Sequence, residues 1–222
     1  MILYFSATGN TEFIAKEIAK RLDDECLNLL ERIKTDDHSV IHSEKPLIIC
    51  APVYVCEMPR FMSKYLREQT FTGTKDVYFI FTSGGYCGIS GVLAKSKFKK
   101  KKMHYHGHAE VTMPRNYVAN DAYPMLEKEA VESRIINAYQ ELDGIAETIR
   151  NKGKLKARHV FLFFILFMLM NHVTIFTEIV TLFILCNSSI FDGSCRTVSD
   201  TCHTMCTLVM PYWFLVFHFN VI

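Results

Sequence analysis

Six residues near the amino end, Ser6-Ala7-Thr8-Gly9-Asn10-Thr11, have the types and spacing of a ligand loop. They follow the apolar run Ile2–Phe5, which reads as a buried strand, and they lead into an amphipathic segment from Asn10 to Leu22. A strand that breaks into a hydroxyl-rich loop and then enters a helix makes an anion site without a lysine. The free N–H groups of the first helical turn and the loop hydroxyls converge there, and the anion expected is a phosphate. Ser, Thr and Asn are also good helix caps, yet a cap needs one such residue and this loop offers four. No Gly-Lys-Ser/Thr follows, so it is not a Walker loop, and the dinucleotide turn Gly-x-Gly-x-x-Gly is missing.

Strands and helices alternate over residues 1–150. After the helix Asn10–Leu22, with Phe13, Ile14, Ile18, Ala19 and Leu22 at helical spacing, a short strand is expected near Cys26–Leu30. Pro46–Ala51 and Asp76–Thr82 are apolar runs of the length of central parallel strands covered on both faces. Helices are expected from about Arg60 to Glu68 and over Leu93–Phe98, a fifth strand over His104–Met113, and a long final helix over Glu127–Arg150. Five strands with intervening helices predict an α/β fold with a doubly wound five-stranded parallel sheet in the order 2-1-3-4-5. The ligand then belongs at the carboxyl ends of the strands, where the order reverses.

The loops after strands one, three and four converge at that place, and their compositions are unusual. The second, Ala51-Pro52-Val53-Tyr54-Val55-Cys56-Glu57-Met58-Pro59-Arg60, offers Tyr54 to the face of a flat ring and Val53 and Val55 to exclude water. Tyr54 also has the character of a core residue at a strand end. The third, Thr82-Ser83-Gly84-Gly85-Tyr86-Cys87-Gly88-Ile89-Ser90-Gly91, is glycine-rich where backbone must approach a ligand or adopt a positive φ. A peptide next to Gly84 or Gly85 has room to turn its carbonyl toward a ring nitrogen, with Tyr86 on the opposite ring face. A plain flexible turn is the other reading of this loop.

The order Ile2-Leu-Tyr-Phe-Ser-Ala-Thr-Gly-Asn-Thr11, Pro52-Val-Tyr-x-x-x-Met-Pro-Arg-Phe61, Thr82-Ser-Gly-Gly-x-x-Gly88 and Met113-Pro-Arg-Asn-Tyr117 resembles the bacterial flavodoxin–ferredoxin fusion family over about residues 1–150. In that family a flavodoxin-like FMN domain precedes a domain with two [4Fe–4S] clusters. The resemblance implies FMN as cofactor, bound by Ser6, Thr8, Gly9, Asn10 and Thr11, with ring contacts from Pro52, Val53, Tyr54, Ser83, Gly84, Gly85 and Tyr86. It also implies one- or two-electron transfer with a redox partner protein. The flavin itself carries that chemistry, so no catalytic side chain is expected.

The rest of the chain departs from the family. Every lysine lies at or before Lys156, and ten of the 17 phenylalanines lie from residue 159 onward. A boundary is therefore expected at a basic linker, 151–158, ahead of a hydrophobic extension, 159–222. Its cysteines, Cys186, Cys195, Cys202 and Cys206, lack the Cys-x-x-Cys-x-x-Cys-x-x-x-Cys spacing of a cubane site, so no cluster and no metal is expected. One reading makes 160–185 a membrane segment, long enough to cross with tilt and preceded by Lys152, Lys154, Lys156 and Arg158. The opposing feature is Glu178 in mid-span. The other reading makes 159–222 the frameshifted remnant of a ferredoxin domain.

Composition bounds the alternatives. The net charge of +2 is too near zero to argue for nucleic acid, and none is expected; no signal peptide precedes the first strand, so the expected location is cytoplasmic, with membrane association only through the tail. The scattered cysteines of the first part read as free thiols. A phospho-receiver domain would need clustered aspartates after strand one, where Ser6 and Thr8 stand. A membrane-tethered, non-catalytic protein on a flavodoxin-like scaffold is the remaining alternative. The run Lys95, Lys97, Lys99–Lys102 reads as a solvated face, with docking of an acidic partner as the secondary reading. His104, His106 and His108 are expected on one face of an edge strand.

Overall fold

The computed structural model describes residues 1–54, 57–116 and 125–156. The readings for 159–222, including the membrane segment over 160–185, the ferredoxin remnant and the four cysteines, lie outside these residues, as do Val55, Cys56 and Tyr117. Among the described residues no helix is long and apolar enough to cross a membrane, so the membrane-tethered alternative finds no support there.

The central sheet is parallel throughout. Strand β1 (Ile2–Tyr4) lies between β2 (Cys26–Asn28) and β4 (Leu47–Pro52), followed by β6 (Asp76–Ser83) and the edge strand β7 (His104–Thr112). Counted along this sheet alone, the order is the expected 2-1-3-4-5. Two three-residue strands, β3 (Ile41–Ser43) and β5 (Phe71–Gly73), pair separately, and a short helix α2 spans Leu30–Lys34. None of these three elements is expected from the sequence, since each is too short to show a period.

Side chains alternate across the strands, so a strand covered on both faces reads as a continuous apolar run. Ile2, Tyr4, Ile48, Cys50, Tyr78 and Ile80 face helices α1 (Asn10–Leu22) and α5 (Lys128–Arg150). Leu3, Ile49, Val77, Phe79 and Phe81 face α3 (Arg60–Glu68) and α4 (Ser90–Lys100). Each helix presents a stripe to its face: Ile14, Ala15 and Ile18 on α1, Met62, Tyr65 and Leu66 on α3, Ala94 and Phe98 on α4, and Ala138, Leu142, Ala146 and Ile149 on α5. Burial pushes the partly buried Cys26 thiol up to about 11 and raises that of fully buried Cys50, which disfavours the reactive thiolate at both.

The histidines depart from expectation. The pairing of β6 with β7 shifts register between Val77 and Phe79, and Gly107 sits in the extra position with φ +101°. This bulge turns the strand over. His106 stacks on Tyr78 and shares the Asp76 carboxylate with His104, at 2.9 and 3.3 Å. His108 emerges on the other face, edge-on to Phe81, with the Tyr105 hydroxyl 2.7 Å from its Nδ1. Its ring also fills the space where a Cβ on Gly91 of α4 would lie, 2.1 Å from the nearest ring atom.

The first residues of the expected linker pack on this edge. The Leu155 N–H donates to the His106 carbonyl, and the Tyr78 hydroxyl donates to the Gly153 carbonyl, at 2.9 and 3.0 Å. A Cβ on Gly107 would meet the Leu155 carbonyl oxygen at 2.1 Å. Gly107→Ala should therefore cost about 2 kcal/mol or more, from a left-handed backbone and a contact with main chain that cannot be relieved by a rotamer change. Urea unfolding measures this, and an unchanged midpoint would refute the bulge. The hydrogen bond from His106, aided by His104 and opposed by burial, holds the Asp76 carboxyl below its usual range. A depressed carboxylate adds stability above its unfolded pKa of about 3.9, and this is lost as pH falls through the folded value. The stability gap between wild type and Asp76→Asn should thus narrow as pH drops from 5 toward about 3, read by the same unfolding curves.

Candidate functional site

Four loops meet at the carboxyl edge of the sheet. The first leaves β1 at Phe5 and turns through Gly9, whose φ of +95° and ψ of −26° are left-handed and place it as the cap of α1. The Phe13 N–H donates to the Gly9 carbonyl at 2.9 Å, so the N–H groups of Asn10, Thr11 and Glu12 precede the first intrahelical bond and point out of the helix mouth. The helix dipole makes this the positive end. Glu12, in the same turn, is paired with Lys16 at 2.6 Å, and this pairing holds its carboxyl below the usual range.

The expected phosphate residues divide into two sets. Ser6 Oγ accepts from the Gly9 N–H at 3.1 Å, and Thr8 Oγ accepts from the Asn116 side-chain amide. Each hydroxyl has accepted a bond from the chain and retains its own proton to donate. Asn10 and Thr11 are bracing residues instead. The Asn10 amide donates to the Pro114 carbonyl at 2.8 Å, and the Thr11 hydroxyl meets the Thr82 hydroxyl at 2.7 Å with both residues buried. Only the backbone N–H of Thr11 is left to face a ligand.

The second loop begins with Pro52 at the end of β4. Val53 donates its N–H to the Thr82 carbonyl at 3.0 Å and packs against the core shared with α3 and α4. Tyr54 and Glu57 exchange backbone bonds of 2.8 and 3.3 Å, closing a narrow turn. Tyr54 is 46% exposed, so it does not fill core, and partial burial raises its phenol pKa.

In the third loop Ser83 Oγ accepts the Gly85 N–H at 3.2 Å and lies 3.5 Å from the buried Cys87 sulfur. The positive φ expected of this glycine-rich loop falls at Gly88, with φ +58°. A Cβ on Gly84 would lie 3.3 Å from the Cβ of Arg115, a tight contact. Gly85 is exposed and a Cβ there meets nothing within 4 Å. Tyr86 is half-buried beside it.

Two contributors to the edge have no role assigned from the sequence: the motif that begins at Met113, and Arg134. Residues 113–116, after β7, supply the Pro114 carbonyl and the Asn116 amide that hold the first loop. Arg134 reaches from α5 to the Gly84 carbonyl at 2.9 Å and the Met113 carbonyl at 3.4 Å. The run Met113-Pro-Arg-Asn116 carries a signal for the first, whereas Arg134 is one polar residue on an amphipathic helix. Two clefts of about 530 and 470 Å³ lie away from this edge, one by Met1 and Asp24 and one by Glu110 and Leu155. Neither is lined by a residue of the four loops.

Thr11→Val strands the buried Thr82 hydroxyl and should cost about 1–3 kcal/mol, whereas pairing it with Thr82→Val should recover much of that loss. Chemical denaturation of the three variants completes the cycle, and strictly additive losses would show that the two hydroxyls are not coupled.

The family model of the Flavodoxin domain matches residues 1–129. No curated protein matches the chain. Among solved structures, two-electron reduced Megasphaera elsdenii flavodoxin is 16% identical, with 66% of this chain and 99% of that one covered and a TM-score of 0.39. A short-chain flavodoxin associated with a non-canonical PDU bacterial microcompartment is 14% identical, with 69% and 97% covered and a TM-score of 0.40. The flavodiiron core Flv1 of Synechocystis sp. PCC6803 is 15% identical, and 68% of this chain spans 35% of that one, with a TM-score of 0.37. The match over residues 1–129, more than half of the chain, makes this protein a member of the flavodoxin domain family.

Proposed function

We propose that the chain binds FMN at the four-loop edge and serves as an electron-transfer protein. The observation that carries this reading is the state of the Ser6 and Thr8 hydroxyls, each held by a bond it accepts, at the mouth of a helix opened by a left-handed glycine. That set of donors suits a phosphate dianion and offers it no carboxylate beyond the lysine-paired Glu12. The flanking Tyr54 and Tyr86 and the open backbone at Gly85 suit a flat ring, which makes a flavin phosphate a better fit than a free phosphate.

The roles of the chain's residues follow from their bonds. Ser6, Thr8 and the N–H groups of residues 10–12 hold the phosphate. Asn10, Thr11, Thr82 and Asn116 keep that loop in shape before any ligand arrives, which lowers the ordering cost of binding. Tyr54 and Val53 cover one side of the ring and exclude water. Arg134 fixes the Gly84 peptide by its carbonyl, leaving the Gly85–Tyr86 peptide as the one with space to turn toward the ring. Bound FMN supplies one- and two-electron redox chemistry.

Titration of the full chain with FMN should quench the flavin fluorescence. Riboflavin, which lacks the phosphate, should bind at least about 100-fold more weakly if the loop contributes two or more charge-assisted hydrogen bonds. Ser6→Ala and Thr8→Val should each weaken FMN by roughly tenfold, near 1.4 kcal/mol, and leave riboflavin binding unaltered. Unquenched FMN, or equal affinity for riboflavin, would overturn the assignment.

A further inference from the structure

The helices on the two faces of the sheet differ in charge. α3 and α4 together carry seven lysines and arginines against one carboxylate, Glu68, whereas α1 and α5 carry six against seven. Internal bonds account for part of this excess. Lys97 ties α4 to α3 through the Ser63 hydroxyl at 2.5 Å and lies 3.8 Å from the Glu57 carboxylate. Lys101, just past α4, donates to the Gln69 carbonyl at 2.6 Å. Arg67 pairs with its neighbour Glu68 at 3.3 Å.

Four lysines have no such use. Lys64, Lys95, Lys99 and Lys100 are exposed and form no ion pair among the described residues. On α4 the spacing of Lys95, Lys99 and Lys100 continues an outward stripe that begins at Val92. Three large apolar residues stand exposed at the upper end of the same face: Tyr54 at 46%, Phe61 at 43% and Val92 at 53%. Phe61 packs edge-on against Phe5 at the end of β1, with ring centroids 4.8 Å apart, and Val92 lies in the first turn after the third loop. The apolar tip therefore borders the candidate ring site, and the lysine slope descends from it along α3 and α4.

We propose that this face docks an acidic electron-transfer protein, with the apolar tip at the contact centre and the lysines steering the approach. Uncompensated ammonium groups rimming a small apolar patch raise the encounter rate with an acidic surface and repel a basic one. Seating the partner on Tyr54, Phe61 and Val92 brings its redox centre to the ring edge. The nature of the partner rests on the FMN reading above; the basic surface does not.

The test uses the full chain, with and without FMN, and two soluble carriers of opposite charge: an acidic plant-type [2Fe–2S] ferredoxin and the basic cytochrome c. Isothermal titration calorimetry should show ferredoxin binding at about 20 mM salt that weakens at least tenfold at about 300 mM, where the Debye length is short. Cytochrome c should not bind. The triple variant Lys64→Glu, Lys95→Glu, Lys99→Glu should lose ferredoxin at least tenfold while keeping its Tm and its FMN titration, and Lys95→Arg should behave as wild type. Equal ferredoxin affinity in wild type and triple variant overturns the proposal. So does lysine-dependent binding to phosphatidylserine vesicles without binding to ferredoxin, which would make the face a membrane surface. A chain that takes up no FMN yet binds ferredoxin through these lysines refutes the flavin reading and leaves the docking surface standing.

Discussion

The architecture turns on a three-residue strand. Ile2 and Leu3 are fully buried because β1 has a neighbour on each side and helices on both faces. The chain must leave β1 toward one neighbour and return to the other, so α1 is laid on one face and α3 on the opposite face. Between their origins a crevice opens at the carboxyl ends of the strands, and no side chain has to be chosen to create it. Choice enters in how the crevice is kept rigid. The buried hydroxyl contact between Thr11 and Thr82 fastens the head of α1 to β6, two strands away from β1.

The neutral donors of the first loop and the unpaired lysines of α3 and α4 stand on different elements. The loop Ser6–Thr11 holds no lysine or arginine, and its outward donors are peptide N–H groups and the two hydroxyls, Ser6 and Thr8, held by bonds they accept. Such donors act over a few ångströms and fix orientation. The four lysines of α3 and α4 that form no ion pair among the described residues lie on the outer sides of those helices, where their field reaches farther and is indifferent to geometry. In the function proposed above, placing the two kinds of recognition on different elements would let a small ligand be held tightly without making the loop a general anion trap.

Much of this was legible in the sequence, for identifiable reasons. Leu47–Pro52 and Asp76–Ser83 stand out because strands buried on both faces are apolar throughout. The ligand loops stand out because Gly9, Tyr54 and the Ser83–Gly85 run are unusual residues at strand ends. Strands β3 and β5 escaped because three residues carry no period, and their pairing joins segments thirty residues apart. The histidine alternation misled because one inserted glycine reverses every later side chain, and an alternating pattern does not show which residue is the extra one. The division of labour within Ser6–Thr11 was also hidden, because it depends on Pro114 and Asn116, more than a hundred residues away.

The contact between Gly91 and His108 places a condition on how this domain can change. The imidazole occupies the volume that a side chain at position 91 would need, and the Tyr105 hydroxyl and the Phe81 ring hold it in that orientation. Change at these two sites is therefore coupled: position 91 gains an atom only where the ring at 108 is reduced or turned aside, which leaves a void under the start of α4. A larger residue at 91 should therefore accompany a changed or reoriented side chain at 108, a coupling imposed by steric exclusion between a helix-borne and a strand-borne position.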